Sequence, residues 1–439
     1  MKQTPFSSAE ILSVGTELLL GEIVNTDAAF LSRALSELGI PCYRHTVVGD
    51  NPERLTAALS EAYARADLVL LTGGLGPTCD DLTKETAARL MGKTLVLHEP
   101  SYARIQKILC ERGLPETDNQ KKQAMLPPDA VVFENNYGTA PAFAMEDENG
   151  KTLILMPGPP KELEPIFTEK VRPYLARRTV GTLYSINLGI YGIGEAAVEA
   201  CLRDRMENYS NPTVAPYCGE GGEVRVRITA YGESEEACIA MCEKEAAEIR
   251  GVSTEPLHPG VLNDYIYGVD CNTIADAVVK VLTEKNLTVT TSESCTGGYV
   301  AKRITDVPGA SACYQGSVVT YSEETKIAVG GVPKEILDRY SVYSTETAIA
   351  MAKGAQALFC ADISIGITGL ATGGATRIYD GKEETLSPGT VFLACVYKDK
   401  ISTYTMHLDP AKRAPAEARE YVRRRASSKA LWMIYQMMC

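Results

Sequence analysis

Residues 69–84 read V-L-L-T-G-G-L-G-P-T-C-D-D-L-T-K. An apolar run ending at Leu71 stops at Thr72-Gly73-Gly74, the pattern of a buried strand closed by a turn without side chains. Gly76 and Pro77 continue the turn, Asp80 and Asp81 follow, and Lys84 opens an apolar-periodic helix. Glycines let a ligand reach the backbone, and helix N-terminal amides attract phosphate. Carboxylates beside a phosphate require a divalent cation between them. The stretch predicts a nucleotide site with Gly73, Gly74, Gly76 and Thr78 at the substrate, Asp80 and Asp81 on a metal, and Lys84 supplying phosphate-neutralising charge. It also reads as a tight strand–helix connection in any α/β sheet, with Lys84 on an ordinary solvated helix face.

Working outward, Glu10–Val14 is a short apolar strand ended by Gly15-Thr16-Glu17. A helix with apolar Phe30, Leu31, Ala34, Leu35 and Leu38 ends at Gly39. Tyr43–Val48 is the next strand, closed by Gly49-Asp50-Asn51, and Pro52 sits at a favoured helix start. This alternation predicts a doubly wound, largely parallel α/β sheet whose ligand lies at the carboxyl ends of the strands. Glu17, Asp50, Gly73, Gly74 and Asp81 all fall there, so one site can collect them. Glu17 or Asp50 is a candidate to orient an attacking water, although any one of these carboxylates can serve as a helix cap.

The chain has 439 residues, enough for two to four domains. A net charge of -12 argues against non-specific nucleic-acid binding, which basic charge drives. The sequence has no uninterrupted apolar run long enough for a membrane span, and Met1–Ser8 lacks a signal-peptide core. Thirteen cysteines without a C-x-x-C pair predict reduced thiols and a cytoplasmic protein. The four histidines are unclustered, so a metal should be held by oxygen, which suits magnesium or manganese.

The expected domains are 1–175, 176–262 and 270–439. The middle one is a small α+β unit with strands at Leu183–Ile190 and Val224–Ala230 and no catalytic constellation. It is expected either to space the ends or to build a homodimer contact, with Glu195 as a helix cap. Pro256–Val269 is the candidate linker. In the last, α/β domain the strand Leu287–Thr291 runs into S-E-S-C-T-G-G (292–298) and a helix. A serine at a sharp strand-to-helix turn exposes its hydroxyl, and amides near Thr296 and Gly297 can stabilise an oxyanion. Ser294 as a plain helix cap, or Cys295 as the nucleophile, are the competing readings. I-S-I-G-I-T-G-L-A-T-G-G (363–374) is a second strand with a glycine-rich turn.

Five stretches in order resemble the CinA family: G-T-E-L-L-L-G (15–21) with Asn25, G-G-L-G-P-T-C-D-D-L-T (73–83), Lys122-Gln123-Ala124, Asn135 with G-T-A-P (138–141), and P-G-P-P-K-E (157–162). Y-G-I-G-E (191–195) and N-P-T-V-A (211–215) continue the match. The first domain also resembles the molybdopterin-binding fold, in which carboxylates at positions like Asp50 and Asp81 flank the pterin phosphate. The resemblance implies a metal-dependent pyrophosphatase that splits ADP-ribose, with Asn25 and Asn135 in the substrate motifs. Ala142 replaces the family's usual glycine, and its methyl is expected to narrow the pocket. E-S-C-T-G-G (293–298), V-T-Y-S (319–322) with Lys326, and P-G-T-V (388–391) resemble the nicotinamide mononucleotide deamidase family. That implies hydrolysis of this nucleotide to nicotinic acid mononucleotide and ammonia, without a cofactor. Ser294 carries over as nucleophile with Tyr321 and Lys326 beside it. Thr296, Gly297, Gly298, Thr368, Gly369 and, more loosely, Arg413 carry over as substrate contacts. With no histidine near, a desolvated lysine is the natural base. Two other readings stand: a first domain that binds a pterin or nucleotide without turning it over, and a competence-related interaction protein.

Overall fold

The structure, a computed structural model, describes residues 5–439 except Cys79, Leu114, Glu116, Thr117 and Val180. The chain divides into two compact units, residues 1–184 with 231–239, and residues 185–230 with 240–439.

In the first unit, β1 (Ala9–Val14), α1 (Thr26–Glu37), β2 (Cys42–Val48), α2 (Pro52–Arg65), β3 (Leu68–Thr72) and α3 (Thr83–Leu90) alternate. β4 (Val131–Phe133), β5 (Ala142–Glu146) and β6 (Thr152–Met156) complete a six-stranded sheet of order β2-β1-β3-β6-β5-β4. The pairs β1/β2, β1/β3 and β3/β6 are parallel, and β5 and β4 add an antiparallel edge. Alternate residues of a strand face opposite ways, so neighbours join different cores. Ile11 and Leu70 pack with Leu31 and Leu35 of α1, whereas Leu12 and Leu71 pack with Leu55 and Leu59 of α2. Both faces are therefore covered, which explains why β3 reads as a continuous apolar run.

The middle stretch, most of it in the second unit, has β7 (Thr182–Tyr191), α4 (Glu195–Asn208), β8 (Thr213–Cys218), β9 (Glu223–Gly232), α5 (Glu235–Arg250) and β10 (Ile266–Val269), whose strands form a sheet of order β8-β9-β7-β10. The stretch expected as linker thus ends in a strand. Tyr267 is 2% exposed and anchors it, which its glycine- and proline-rich surroundings concealed. Glu195 is the first residue of α4, whose cap is Gly194, and its carboxylate takes the Cys218 thiol.

The rest of the second unit contains α6 (Ile274–Glu284), β11 (Val289–Glu293), α7 (Tyr299–Thr305), β12 (Tyr314–Val319), α8 (Glu323–Ala328), α9 (Thr345–Phe359), β13 (Ile363–Gly369), β14 (Thr390–Tyr397), β15 (Lys400–His407) and α10 (Pro415–Met438). Its sheet has the order β12-β11-β13-β14-β15. β12, β11 and β13 are parallel, so their carboxyl ends meet at one edge. α6 and the buried Trp432 and Met433 of α10 close one face. Among the described residues, no helix is long and apolar enough to cross a membrane.

Candidate functional site

β11 delivers Ser294 to the carboxyl edge of the second unit's sheet. Its amide donates to Ile367 O (3.0 Å), and Gly297 N closes a turn onto Ser294 O (3.1 Å). Gly297 and Gly298 have φ of +61° and +88°, so the reversal suits residues without a Cβ. β12 ends one strand away, and the Thr320 amide donates to Glu293 O (2.9 Å). One turn into α8, Lys326 comes back over the reversal. Its Nζ lies 3.0 Å from Ser294 Oγ and donates to Thr320 O at 2.6 Å. Lys326 is 2% exposed, and burial pulls its ammonium down to about 8. Ser294 and Lys326 open on a cleft of about 340 Å³, walled by Tyr321, Tyr343, Arg419 and the 369–373 turn. Burial pushes the neighbouring Cys295 thiol up to about 12, which keeps it protonated and unreactive.

Several expected contacts fall elsewhere. Tyr321 borders the cleft but is 64% exposed, and its hydroxyl accepts from Arg419 (3.3 Å), not from the Ser294–Lys326 pair. Thr368 donates to Val342 O (2.7 Å) inside the sheet, and Gly369 beyond it reaches the cleft. The Gly297 amide is spent on its turn, Gly298 is the N-cap of α7 and Thr296 is fully buried, so none of the three lines the cleft. Arg413 stacks on Tyr421, 3.7 Å from the ring centroid, away from the cleft. The arginine that reaches the cleft is Arg419, and Arg423, one turn on, donates to Thr296 O (2.9 Å). The run A-R-E-Y-V-R-R-R (418–425) held that signal: two arginines four apart lie on one helix face.

In the first unit, the carboxyl ends of β1, β2 and β3 surround a cavity of about 580 Å³. Glu17, Asn25, Asp50, Gly73, Gly74, Gly76, Thr78, Asp80 and Asp81 all line it. Asp50 is held by the Thr16 amide (2.9 Å) and hydroxyl (2.8 Å), and Asn25 caps α1 through Ala28 N (3.1 Å). Asp81 Oδ2 accepts from Thr78 N (2.9 Å) and Thr78 Oγ1 (2.5 Å), and the Thr78 hydroxyl also holds Asp80 below the usual carboxylate range. The glycines are required sterically. A Cβ on Gly73 would lie 2.2 Å from Val14 O, and on Gly74 2.0 Å from Thr83 Oγ1, with φ of +89° and +67°. Among the described residues, no three His, Cys, Asp or Glu side chains converge as a metal cage. The all-oxygen donors of this cavity nevertheless fit a hard cation bound by one or two carboxylates, with substrate phosphate completing its shell.

Lys84 differs from both expectations. It is 4% exposed and donates to Lys122 O, so it neither lines the cavity nor sits on a solvated face. Burial pulls its ammonium down to about 8. The cation that shapes the loop is Lys122, whose Nζ reaches Asp81 O (2.6 Å) and Thr78 O (3.1 Å). Asn135 is buried and fully engaged, donating to Ala140 O and Glu162 while accepting from the Tyr137 and Gly138 amides. It shapes a loop and does not line the cavity. Ala142 starts β5 fully buried, so its methyl leaves the cavity unchanged. The sequence reading missed Asp27, which lines the cavity at 7% exposure with Oδ1 unpartnered. Burial, then Glu164, raises its carboxyl to about 6.

Two strand-edge clefts on separate α/β sheets, joined through a small α+β unit, define a three-part architecture that known families share. Residues 10–177 match the probable molybdopterin binding domain, 185–268 the damage-inducible protein CinA KH domain, and 271–438 the CinA C-terminal domain. A CinA-like protein of Dictyoglomus turgidum is 47% identical over 362 residues, 82% of this chain and 85% of its own length. A CinA-like protein of Kosmotoga olearia is 46% identical over 83% of this chain and 87% of its own. The chain belongs to the CinA family. It is also similar to a crystal structure titled as CinA of unknown function from Thermoplasma acidophilum. That likeness has 36% identity, covers 38% of this chain and 97% of the other, and has a TM-score of 0.35.

Proposed function

We propose that the second unit is an amidohydrolase that converts nicotinamide mononucleotide to nicotinic acid mononucleotide and ammonia. The observation that carries this reading is the 3.0 Å approach of Ser294 Oγ to a buried Lys326 amine. Lysine at its ordinary value is almost wholly protonated at pH 7. Lowering it to about 8 leaves about a tenth neutral, a gain of roughly 300-fold in the basic form. The amine spends one N–H on Thr320 O, which aims its lone pair at the serine proton. Ser294 Oγ attacks the amide carbon and its proton passes to Lys326 Nζ. In this reading the amides of the Ser294 turn would stabilise the developing oxyanion. Lys326 returns the proton to the departing nitrogen, ammonia leaves, and water repeats the sequence on the acyl-serine. A cleft of about 340 Å³ suits one mononucleotide, at the small end of ligand sites. Arg419 supplies a charge for its phosphate, and Tyr321 an aromatic wall for its pyridine.

For the first unit we propose a metal-dependent pyrophosphatase acting on ADP-ribose. Its larger cavity suits a dinucleotide-sized ligand. Asp80 and Asp81 would hold magnesium or manganese, which neutralises pyrophosphate charge when bound. The Gly73–Gly76 backbone seats the phosphates, while Glu17 or Asp50 orients water. Both products would belong to pyridine-nucleotide salvage. A second reading, that this cavity binds a nucleotide without turnover, is favoured by Asp50 and Asp81 already accepting hydrogen bonds from Thr16 and Thr78.

The deciding experiment incubates the full chain with each nucleotide, with and without manganese, and reads products by mass. Ammonia with nicotinic acid mononucleotide supports the first assignment. Binding of ADP-ribose without AMP would reduce the first unit to a binding module.

A further inference from the structure

The tip of the hairpin joining β8 to β9 reads C-G-E-G-G-E (218–223). It is packed against α7 and α10 of the same unit. Glu223, 2% exposed, divides its carboxylate four ways. Oε1 accepts from Arg303 (2.5 Å) and Ser428 (3.1 Å), and Oε2 from the Ile274 amide (2.9 Å) and the Tyr267 hydroxyl (3.1 Å). Arg303, 5% exposed, also donates to Ser428 Oγ at 2.7 Å. Nearby, Glu220 accepts from the Tyr299 hydroxyl and lies 3.5 Å from Arg424. The approach needs glycine: a Cβ on Gly222 would lie 1.7 Å from Arg425 Nη1, and on Gly221 2.2 Å from Ser428 Oγ, at φ of +87° and +62°.

The two helices gripped here are those that frame the Ser294 turn. The first amides of α7, Val300 (3.2 Å) and Ala301 (2.8 Å), donate to the buried carboxylate of Glu293, the residue before Ser294. Glu293 O takes the Thr320 amide, and Thr320 O takes Lys326 Nζ. α10 contributes Arg423 to Thr296 O and Arg419 to the cleft wall. Both partners of the reacting pair are thus connected to the hairpin through hydrogen bonds linked by short stretches of backbone.

We propose that Glu223 is a positioning residue for the Ser294–Lys326 site, acting through Arg303 and Ser428 to fix α7 and α10. A buried ion pair adds little net stability, because desolvation offsets its attraction, so its contribution is geometric. The proposal makes the middle domain part of the amidohydrolase site, where sequence reading gave it the role of a spacer or a dimer contact. It rests on the Ser294–Lys326 reading above.

The test compares full-length wild type with Glu223→Gln. It reads the labelling rate of Ser294 by a fluorophosphonate, kcat and KM for ammonia release from nicotinamide mononucleotide, and the melting temperature. The expected result is a loss of about tenfold or more in both labelling rate and kcat, with KM within about threefold, since small misplacements act on the chemical step. A folded Glu223→Gln that labels at the wild-type rate overturns the proposal, even if its melting temperature falls, because that is a structural role alone. Should Glu223→Gln not fold, Ser428→Ala removes the hydroxyl that ties Glu223 to α10 while leaving the Arg303 ion pair in place. A labelling rate roughly threefold lower is then expected, and an unchanged rate overturns the proposal. Fluorophosphonate labelling does not depend on the amide substrate. A wild type that labels but releases no ammonia therefore sinks the substrate assignment alone, and the comparison still decides on Glu223. A wild type that does not label sinks the nucleophile and Glu223's role with it.

Discussion

Ser294 and Lys326 lie thirty-two positions apart in the chain, yet their side chains meet in a buried hydrogen bond. Ser294→Ala should lower ammonia release by about a thousandfold or more, and Lys326→Met by a similar factor, because residues that act as a unit are lost as a unit. ADP-ribose cleavage measured on the same preparations should stay within error of wild type. The lysine must be neutral to accept the serine proton, and burial places its midpoint at about 8. Wild-type kcat should therefore rise with pH from 6, bend near 8 and level above it; a rate flat from pH 6 to 9 would exclude Lys326 as the base. Asp27 titrates with the opposite consequence for stability. The folded chain keeps its proton up to about 6, against roughly 4 when unfolded. The stabilisation it gives is full below the lower value and is lost as pH rises through the higher one. Water in the open cavity screens the effect, so Asp27→Asn should cancel a decline of only about 1 kcal/mol between pH 4 and 7, read by denaturant melts at both.

At the scale of elements, the turn after β3 carries the strongest local demand. Ala at Gly74 must hold φ near +67° and overlap Thr83 Oγ1. Gly74→Ala should cost about 2–4 kcal/mol in chemical denaturation of the first unit and abolish ADP-ribose cleavage. Ammonia release should persist. That turn was legible because glycine, proline and carboxylate are all residues with local reasons to be there. Lys84 was misread because its fate depends on Lys122, a partner thirty-eight positions away that no helical period reveals. The strand Ile266–Val269 was missed for a related reason. It is four residues long, and it becomes a strand only by pairing with β7. Arg413 and Arg419 both lie near the start of α10, but only the helix's rotation on the sheet selects which one reaches the cleft.

At the scale of the whole chain, two sheets carry two clefts, each at the carboxyl ends of parallel strands. The chemistry proposed for one needs a divalent cation and the other does not. Chelation with EDTA should therefore remove ADP-ribose cleavage and leave ammonia release unchanged, with manganese restoring the former. Loss of both on chelation would show that the activities are not independent.

The sequence by itself determined the alternation of strand and helix and both strand-end turns, and it singled out Ser294, Lys326, Asp80 and Asp81 as candidates. These follow from periodicity, from backbone angles that few residues adopt, and from motif order, all local in the chain. Only the tertiary structure decided that Lys326 is desolvated, that Asn135 and Thr368 spend their polar groups away from the clefts, and that Glu223 grips the helices around the Ser294 turn. Desolvation and hydrogen-bond partnership depend on what other segments bring to the same few ångströms, and that distance is set by packing across the fold.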